Sequence, residues 1–387
     1  MKLLQAIKKA IKWLLAPILN PFINRIANRT VECLKESISN GHIQLSQQQQ
    51  LSQNSLVICS ARTDYDPDLG ELLNYDLNDS HITIGDRNKS NIKFGVIYFS
   101  YNGMPGLCKD GVVAVNIGDY MQSLAARNIY SKLGIQDQEL VTIDRDSLSQ
   151  YSGPPAIMIF SGIFGHHSFP IPDTIIPIFM GFHADASVIA KNINYFRRFQ
   201  PIGCRDSYTA HWLKEHGVAA YVTGCLTMAF DRRKHSSEED NVFIAYGENE
   251  GEFPCEAIKL MPPHLLEKAI FISQRRAVHT YPISEYDMRA SEMHAEYIFS
   301  QYKNKASLLI TSLHHAAAPC IALGIPVIVC RKSWCERFSF MKNILPIHTR
   351  PFFHNIQWSP SAIDLGTHRQ AIIIEASKKI KDALEKL

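Results

Sequence analysis

The sequence predicts two Rossmann-like, doubly wound α/β domains facing each other across a cleft, with an extra amphipathic helix in front. Three observations lead there. From about residue 55, short β-branched runs alternate with stretches of helical periodicity, the pattern of βαβ units and mostly parallel sheets. A charged, turn-rich stretch over 231–240 divides these runs into two series. The chain has 387 residues, 46% of them hydrophobic and 20% charged, which is the profile of a folded protein too long for one ordinary core.

Residues 1–54 come first, as a helix and a tether. Leu3, Leu4, Ile7, Ile11, Leu14, Leu15 and Ile18 recur at helical spacing. At about 100° per residue they fall within roughly 120° of arc, and Lys2, Lys8, Lys9 and Lys12 take the other side. Lys12 and Pro17 interrupt the apolar stretch, so it falls short of the roughly 20 residues that span a bilayer, and no small-residue cleavage site follows it cleanly. Two placements stay open: residues 1–18 lying on an anionic membrane face, or packed on protein. The polar, glutamine-rich run 44–53 reads as a tether.

Residues 55–230 form the first domain, with strands predicted at 56–59, 93–99, 140–143, 156–160, 175–180, 202–204 and 220–222 and helices near 118–133, 185–198 and 206–216. Residues 231–240 are the linker. Residues 241–387 form the second domain, with strands near 242–245, 269–273, 308–310 and 327–329 and helices near 285–302 and 313–322. A final helix over about 368–386, rich in Lys, Glu and Ala, is placed to cross back onto the first domain.

Lys and Arg number 40 against 37 acids, a formal charge of +3. Six of those bases and no acid fall in the first thirty residues, so the rest of the chain is slightly acidic and gives no electrostatic support for nucleic-acid binding. The nine cysteines are odd in number, irregularly spaced and free of any CxxC pair, which argues against a zinc knuckle or a thioredoxin-type site. Cys59, Cys204, Cys320 and Cys330 lie in apolar runs, and unpaired buried thiols suit a reducing compartment. The expected location is the cytoplasm, with the amino-terminal helix as a contact to the inner face of the cell membrane. No metal-ligand spacing is legible, so neither a metal nor a cofactor is expected.

Ligands of open α/β sheets bind beyond the carboxyl ends of the strands, where loops enter helix amino termini. Three such turns are suited to an anion. In 115–124, Gly118 permits close backbone approach and Asn116 or Asp119 can cap a helix; the same side chains can bond sugar hydroxyls, and Asp119 can serve as a general base. In 201–209, Asp206 is placed to cap a helix and Arg205 to meet a phosphate or carboxylate at its start. In 309–319, Ser312 is a candidate cap, and His314 and His315 fall in the first helical turn, able to donate to an anion or move a proton near neutral pH. Capped helix starts, a surface ion pair and satisfied core histidines are the bland alternatives at these places. Lesser candidates are His166 or His167 in the glycine loop 160–168, and Arg275, Arg276, Arg331 and Lys332 after strands.

The order of these motifs resembles the polysaccharide pyruvyl transferase family. The matching residues are Asn116-Ile-Gly-Asp119, Ile202-Gly-Cys-Arg-Asp206, Gly224-Cys-Leu-Thr227, and Thr311-Ser-Leu-His314 leading to Gly324-Ile-Pro-Val327; the likeness covers roughly 93–330. It implies a GT-B-like pair of domains, the first on the acceptor side and the second on the donor side. It also implies transfer of an enolpyruvyl unit from phosphoenolpyruvate, as donor substrate, to two hydroxyls of one sugar, giving a pyruvate ketal and phosphate. The acceptor would be a surface glycan or its lipid-linked precursor. Carried over by position, Arg205 would bind the donor's phosphate or carboxylate and His314 would protonate its methylene or bond its phosphate. Asp119 would orient or deprotonate the acceptor hydroxyl. Many members have an arginine where this chain has Ser312, so Arg275, Arg331 or Lys332 would have to take its place. Two other readings remain: a GT-B glycosyltransferase using a nucleotide sugar, and a non-catalytic member acting in polysaccharide assembly.

Overall fold

The computed structural model describes residues 91–237, 239–247 and 254–386. The predicted amino-terminal helix, the tether and the strand 56–59 lie outside them. Parallel strands covered on both faces need continuous apolar runs instead of alternating ones, and this chain supplies them. In chain order the first strands among the described residues are β1 (Lys93–Tyr98), β2 (Cys108–Lys109), β3 (Val112–Asn116), β4 (Leu140–Asp144), β5 (Ala156–Ile163), β6 (Ile175–His183), β7 (Ile202–Cys204) and β8 (Ala220–Val222). Those that follow are β9 (Asn241–Tyr246), β10 (Ala269–Ser273), β11 (Arg275–Val278), β12 (Ala306–Thr311), β13 (Val327–Arg331) and β14 (Ile347–Thr349).

Two parallel sheets result, in the orders β4-β1-β5-β6-β7-β8 and β10-β9-β12-β13-β14. Each winds the same way: the second strand lies on one side of the first, and the chain then crosses to the other side. The reversal opens a crevice at the carboxyl ends of β1 and β5 in one sheet, and of β9 and β12 in the other. A third, antiparallel sheet in the order β11-β3-β2 joins the two series, with Arg275 opposite Asn116 and Val278 opposite Val113.

Among the described residues, the helices of nine residues or more are α1 (Ile117–Lys132), α2 (Ser207–Glu215), α3 (Glu285–Lys305), α4 (His314–Ala322) and α5 (Gly366–Glu385). Asn116 caps α1 by accepting from the Gly118 N–H, and Asp206 caps α2 by accepting from Thr209. α1 is tied to α3 through Arg127 Nε, which donates to Glu292 at 2.8 Å, and Glu292 also accepts from the Tyr98 hydroxyl. α5 lies against the first series: Arg369 Nε donates to the Phe230 carbonyl at 2.8 Å and Lys379 Nζ to that of Pro201 at 3.0 Å. One continuous core runs through both series from Phe94 to Ala383, and a smaller one lies on the far face of the second sheet. The β9 side chains divide between the two by period-2 alternation, Phe243 and Ala245 to the first, Val242 and Ile244 to the second. No helix of the described residues is long and apolar enough to cross a membrane.

Two expectations need correction, and some elements are additions. The helix predicted over 185–198 is two, Ala186–Lys191 and Ile193–Arg198. Asn192 between them donates its side-chain amide to the Val188 carbonyl, the kind of local bond that competes with helix continuation. Ser312 does not cap α4: the cap position is Leu313, with no side-chain bond, and it is Thr311 Oγ1 that accepts from the Leu313 N–H at 3.0 Å. The ribbon β2–β3–β11 and the short β14 are additions that local periodicity does not announce.

Candidate active site

Arg205 leaves β7 with its backbone N–H bonded to the Phe182 carbonyl at 2.8 Å, and its side chain is 1% exposed. A buried guanidinium ordinarily has its donors satisfied. Here Nη1 donates to His315 Nε2 at 3.4 Å, while Nε and Nη2 have no hydrogen-bond partner. The nearest carboxylate oxygen, Asp206 Oδ2, is 3.8 Å from Nε. Burial pulls the Arg205 pKa down, against the opposing charge of Asp206, yet an arginine stays protonated in a protein. This positive charge is therefore buried and incompletely bonded.

The histidines opposite it are held neutral. Arginine can only donate, so His315 Nε2 accepts and the ring proton sits on Nδ1. Burial, then the charges of Arg205 and Arg337, keep His315 well below the ordinary histidine range. Burial, then His315 and the guanidinium groups of Arg205, Arg337 and Arg331, do the same to His314. Neither ring nitrogen of His314 has a hydrogen-bond partner. Its ring stands edge-on to Phe338 with centroids 5.3 Å apart, and Arg331 covers the same ring at 4.6 Å. Arg331 is buried and donates Nη1 to the carbonyl of Ser312, the residue before the Leu313 cap position of α4.

The first turn meets the third directly. A Cβ added to Gly118 would lie 2.8 Å from His315 Cβ, so only glycine lets α1 and α4 approach this closely. On the other side of Gly118, Asp119 is buried and accepts from Asn116 Nδ2 at 2.9 Å and from the Tyr101 hydroxyl at 3.2 Å. Burial raises the Asp119 pKa, and Arg145 and Arg275 oppose the rise. Arg275 reaches this place because β11 sets it opposite Asn116. Beyond Asp119, Asp146 accepts from Arg145 Nε at 2.6 Å and pairs with His167 Nε2 at 3.0 Å.

Of the residues singled out in the sequence, Asn116, Gly118, Asp119, Arg205, Arg275, Ser312, His314, His315 and Arg331 are thus drawn into one connected region. His166 is not: it is exposed and bonds Ser187 Oγ at 3.2 Å, while the adjacent His167 turns inward to Asp146. Lys332 is exposed. Sequence reasoning missed Tyr101, Arg145 and Arg337, and gave Cys225, quoted within Gly224-Cys-Leu-Thr227, no role. Tyr101 follows β1, one of the two strands flanking the switch-point crevice, a position rule that finds it once strand order is known; Arg145 follows β4, the neighbour of β1. Arg337 lies in the short 3-10 turn Glu336–Phe338 after β13 and carries no local signal.

Cys225, His314 and His315 each present one ligand atom within 4.8 Å of the others, the metal-capable group among the described residues. Spacing rules overlook it because Cys225 is remote in sequence from the histidine pair. Three guanidinium groups act on these histidines, and that potential opposes a cation and favours an anion.

A family model described as polysaccharide pyruvyl transferase matches residues 116–331. No curated protein matches this chain. Among solved structures, the chain is similar to that of a "functional uncharacterized protein" from Klebsiella pneumoniae subsp. pneumoniae, at 13% identity, covering 65% of this chain and 87% of that one with a TM-score of 0.37.

Proposed function

The chain belongs to the polysaccharide pyruvyl transferase family, whose model matches more than half of it, and from that premise we propose that it transfers a pyruvyl unit from phosphoenolpyruvate to a diol of a glycan sugar. The observation that carries this reading is Arg205, buried with two unpartnered guanidinium nitrogens and facing two neutral histidines at an uncapped helix start. A guanidinium so buried and so incompletely bonded is costly by itself and suits a multiply charged anion. Arg331 and Arg337 add charge on the side where family relatives have an arginine and this chain has Ser312.

The donor carries a phosphate and a carboxylate. Arg205, the N–H groups at the start of α4, Arg331 and Arg337 are the groups to hold them. His314 delivers a proton to the methylene carbon, which becomes a methyl group, and C2 develops oxocarbenium character. One sugar hydroxyl adds at C2, the phosphate leaves with the electrons of its C–O bond, and the neighbouring hydroxyl closes the ketal. Two hydroxyl protons are released, one replacing that given to the methyl and one taken up by phosphate. Asp119, whose pKa is raised by burial, is the acceptor for the first. Asn116 and Arg275 flank it on the acceptor side of a GT-B-like cleft. The acceptor class, a surface glycan or its lipid-linked precursor, and the cytoplasmic setting belong to the same reading.

Phosphate release with phosphoenolpyruvate and candidate glycan precursors tests it. Arg205→Ala and His314→Ala should each lower kcat/KM by at least about a hundredfold, the scale of losing a transition-state donor. Wild-type turnover in either variant would remove the assignment. Thermal stabilisation by nucleotide sugars and none by phosphoenolpyruvate would replace the donor.

A further inference from the structure

His183 ends β6 and is buried beside the site, yet the chemistry above gives it nothing to do. Its Nδ1 lies 2.6 Å from Asp206 Oδ2. The other oxygen of Asp206 accepts from the Thr209 N–H at 2.9 Å and from the Thr209 hydroxyl at 2.9 Å, and that hydroxyl is 3.0 Å from His183 Nδ1. Every hydrogen bond of the Asp206 carboxylate among the described residues is thus with His183 or Thr209. Arg205, its chain neighbour, stays at 3.8 Å.

That separation is chemically informative. A guanidinium and a carboxylate buried together gain most by closing into a short, bidentate pair. Asp206 is a carboxylate: burial alone would raise its pKa, but His183, its hydrogen bond and Arg205 together hold it below the usual range. It therefore has the charge to close on Arg205 and does not, and two guanidinium nitrogens remain without partners. The short contact from His183 is the competing interaction.

We infer that His183, by holding Asp206 Oδ2, is a positioning residue that keeps the Arg205 guanidinium available to the donor anion instead of closed onto the neighbouring carboxylate. Asp206 then supplies a countercharge that makes the buried arginine tolerable at a distance without using up its donors. The inference rests on the donor-site reading above. It adds that donor affinity is set by a residue that does not touch the donor.

The test measures phosphoenolpyruvate binding by titration calorimetry, and KM for donor and acceptor by phosphate release, on the full-length protein. His183→Leu removes the hold, so donor Kd and KM should rise about tenfold while acceptor KM stays put. His183→Asn, whose amide Nδ2 can stand where Nδ1 stood, should keep donor Kd within about twofold of wild type. Adding Asp206→Asn to His183→Leu should restore much of the lost affinity, because an amide no longer draws the guanidinium in; a merely structural role for His183 predicts a further loss. Wild-type donor affinity in a folded His183→Leu variant, or equal losses in the Leu and Asn variants, would overturn the inference. Should the Leu variant not fold, His183→Gln against His183→Asn gives the same contrast, the longer amide missing the Nδ1 position, and equal affinities would overturn it. Arg205→Ala separates the two levels. If it keeps donor binding, the donor-site reading itself fails; if it loses binding while His183→Leu does not, only the role of His183 fails.

Discussion

His314 is the residue on which the proposed chemistry turns, and its resting state is neutral. A neutral imidazole cannot protonate a carbon, so the proton has to arrive with the donor. A trianion placed against a buried histidine favours its charged form, reversing the shift that burial and three arginines impose. Donor binding should therefore take up protons and tighten as pH falls from about 8 towards the ordinary histidine value near 6.5. Calorimetry in buffers of different ionisation heat reads this directly, and His314→Ala should reduce the uptake to what the donor phosphate itself contributes. Uptake unchanged in that variant would place the proton elsewhere. Arg205 and His314 were legible because each follows an apolar strand within a few residues and enters a helix. Arg337, and any role for Cys225 beyond its place in a motif, were not, since both belong to short 3-10 turns and only folding brings them to the histidines.

At the scale of elements, the contact between α1 and α4 is the sharpest constraint. Gly118→Ala would push a methyl group to 2.8 Å from His315 Cβ, in a place where backbone on both sides is helical and cannot slide cheaply. Overpacking of this kind costs about 1–3 kcal/mol, and here the strain falls on the turn that carries both histidines. The variant should fold with a lowered Tm and lose more activity than that loss of stability explains; circular dichroism melting with phosphate release checks it. A variant with wild-type activity would mean that the approach of the two helices is not needed. The sequence pattern located α1 and α4 to within a residue or so, yet said nothing of their contact. It also passed over β3 and β11, whose pairing sets Arg275 opposite Asn116 across some 160 residues of chain. Their pairing joins segments far apart in the chain, and no local period reports it.

For the molecule as a whole, buried neutral histidines make stability depend on acidity. His314, His315 and His368 all have folded-state pKa values below the ordinary 6.5, His368 pushed down to about 4 by burial. Below 6.5 the unfolded chain binds protons that the folded chain refuses, so stability is present above that pH and is lost as pH falls towards the folded values. For His368 alone the window from 6.5 to about 4 corresponds to about 3 kcal/mol. His368→Leu, which removes the titrating group from its place against Phe340, should flatten the fall in Tm between about pH 6.5 and 4.5. A slope equal to wild type would show that this histidine is not the source. The sequence by itself determined the alternation of strands and helices, most element bounds among the described residues, and the three turns that carry the site, because apolar period, caps and strand ends are local properties. Only the tertiary structure decided that Gly118 touches His315, that Arg205 is left unclosed by its own neighbour Asp206, and that Arg331 reaches the Ser312 carbonyl while Arg337 bears on the two histidines. Those relations depend on strand order and on which strand ends face one another, and distance through space is not written in any stretch of neighbouring residues.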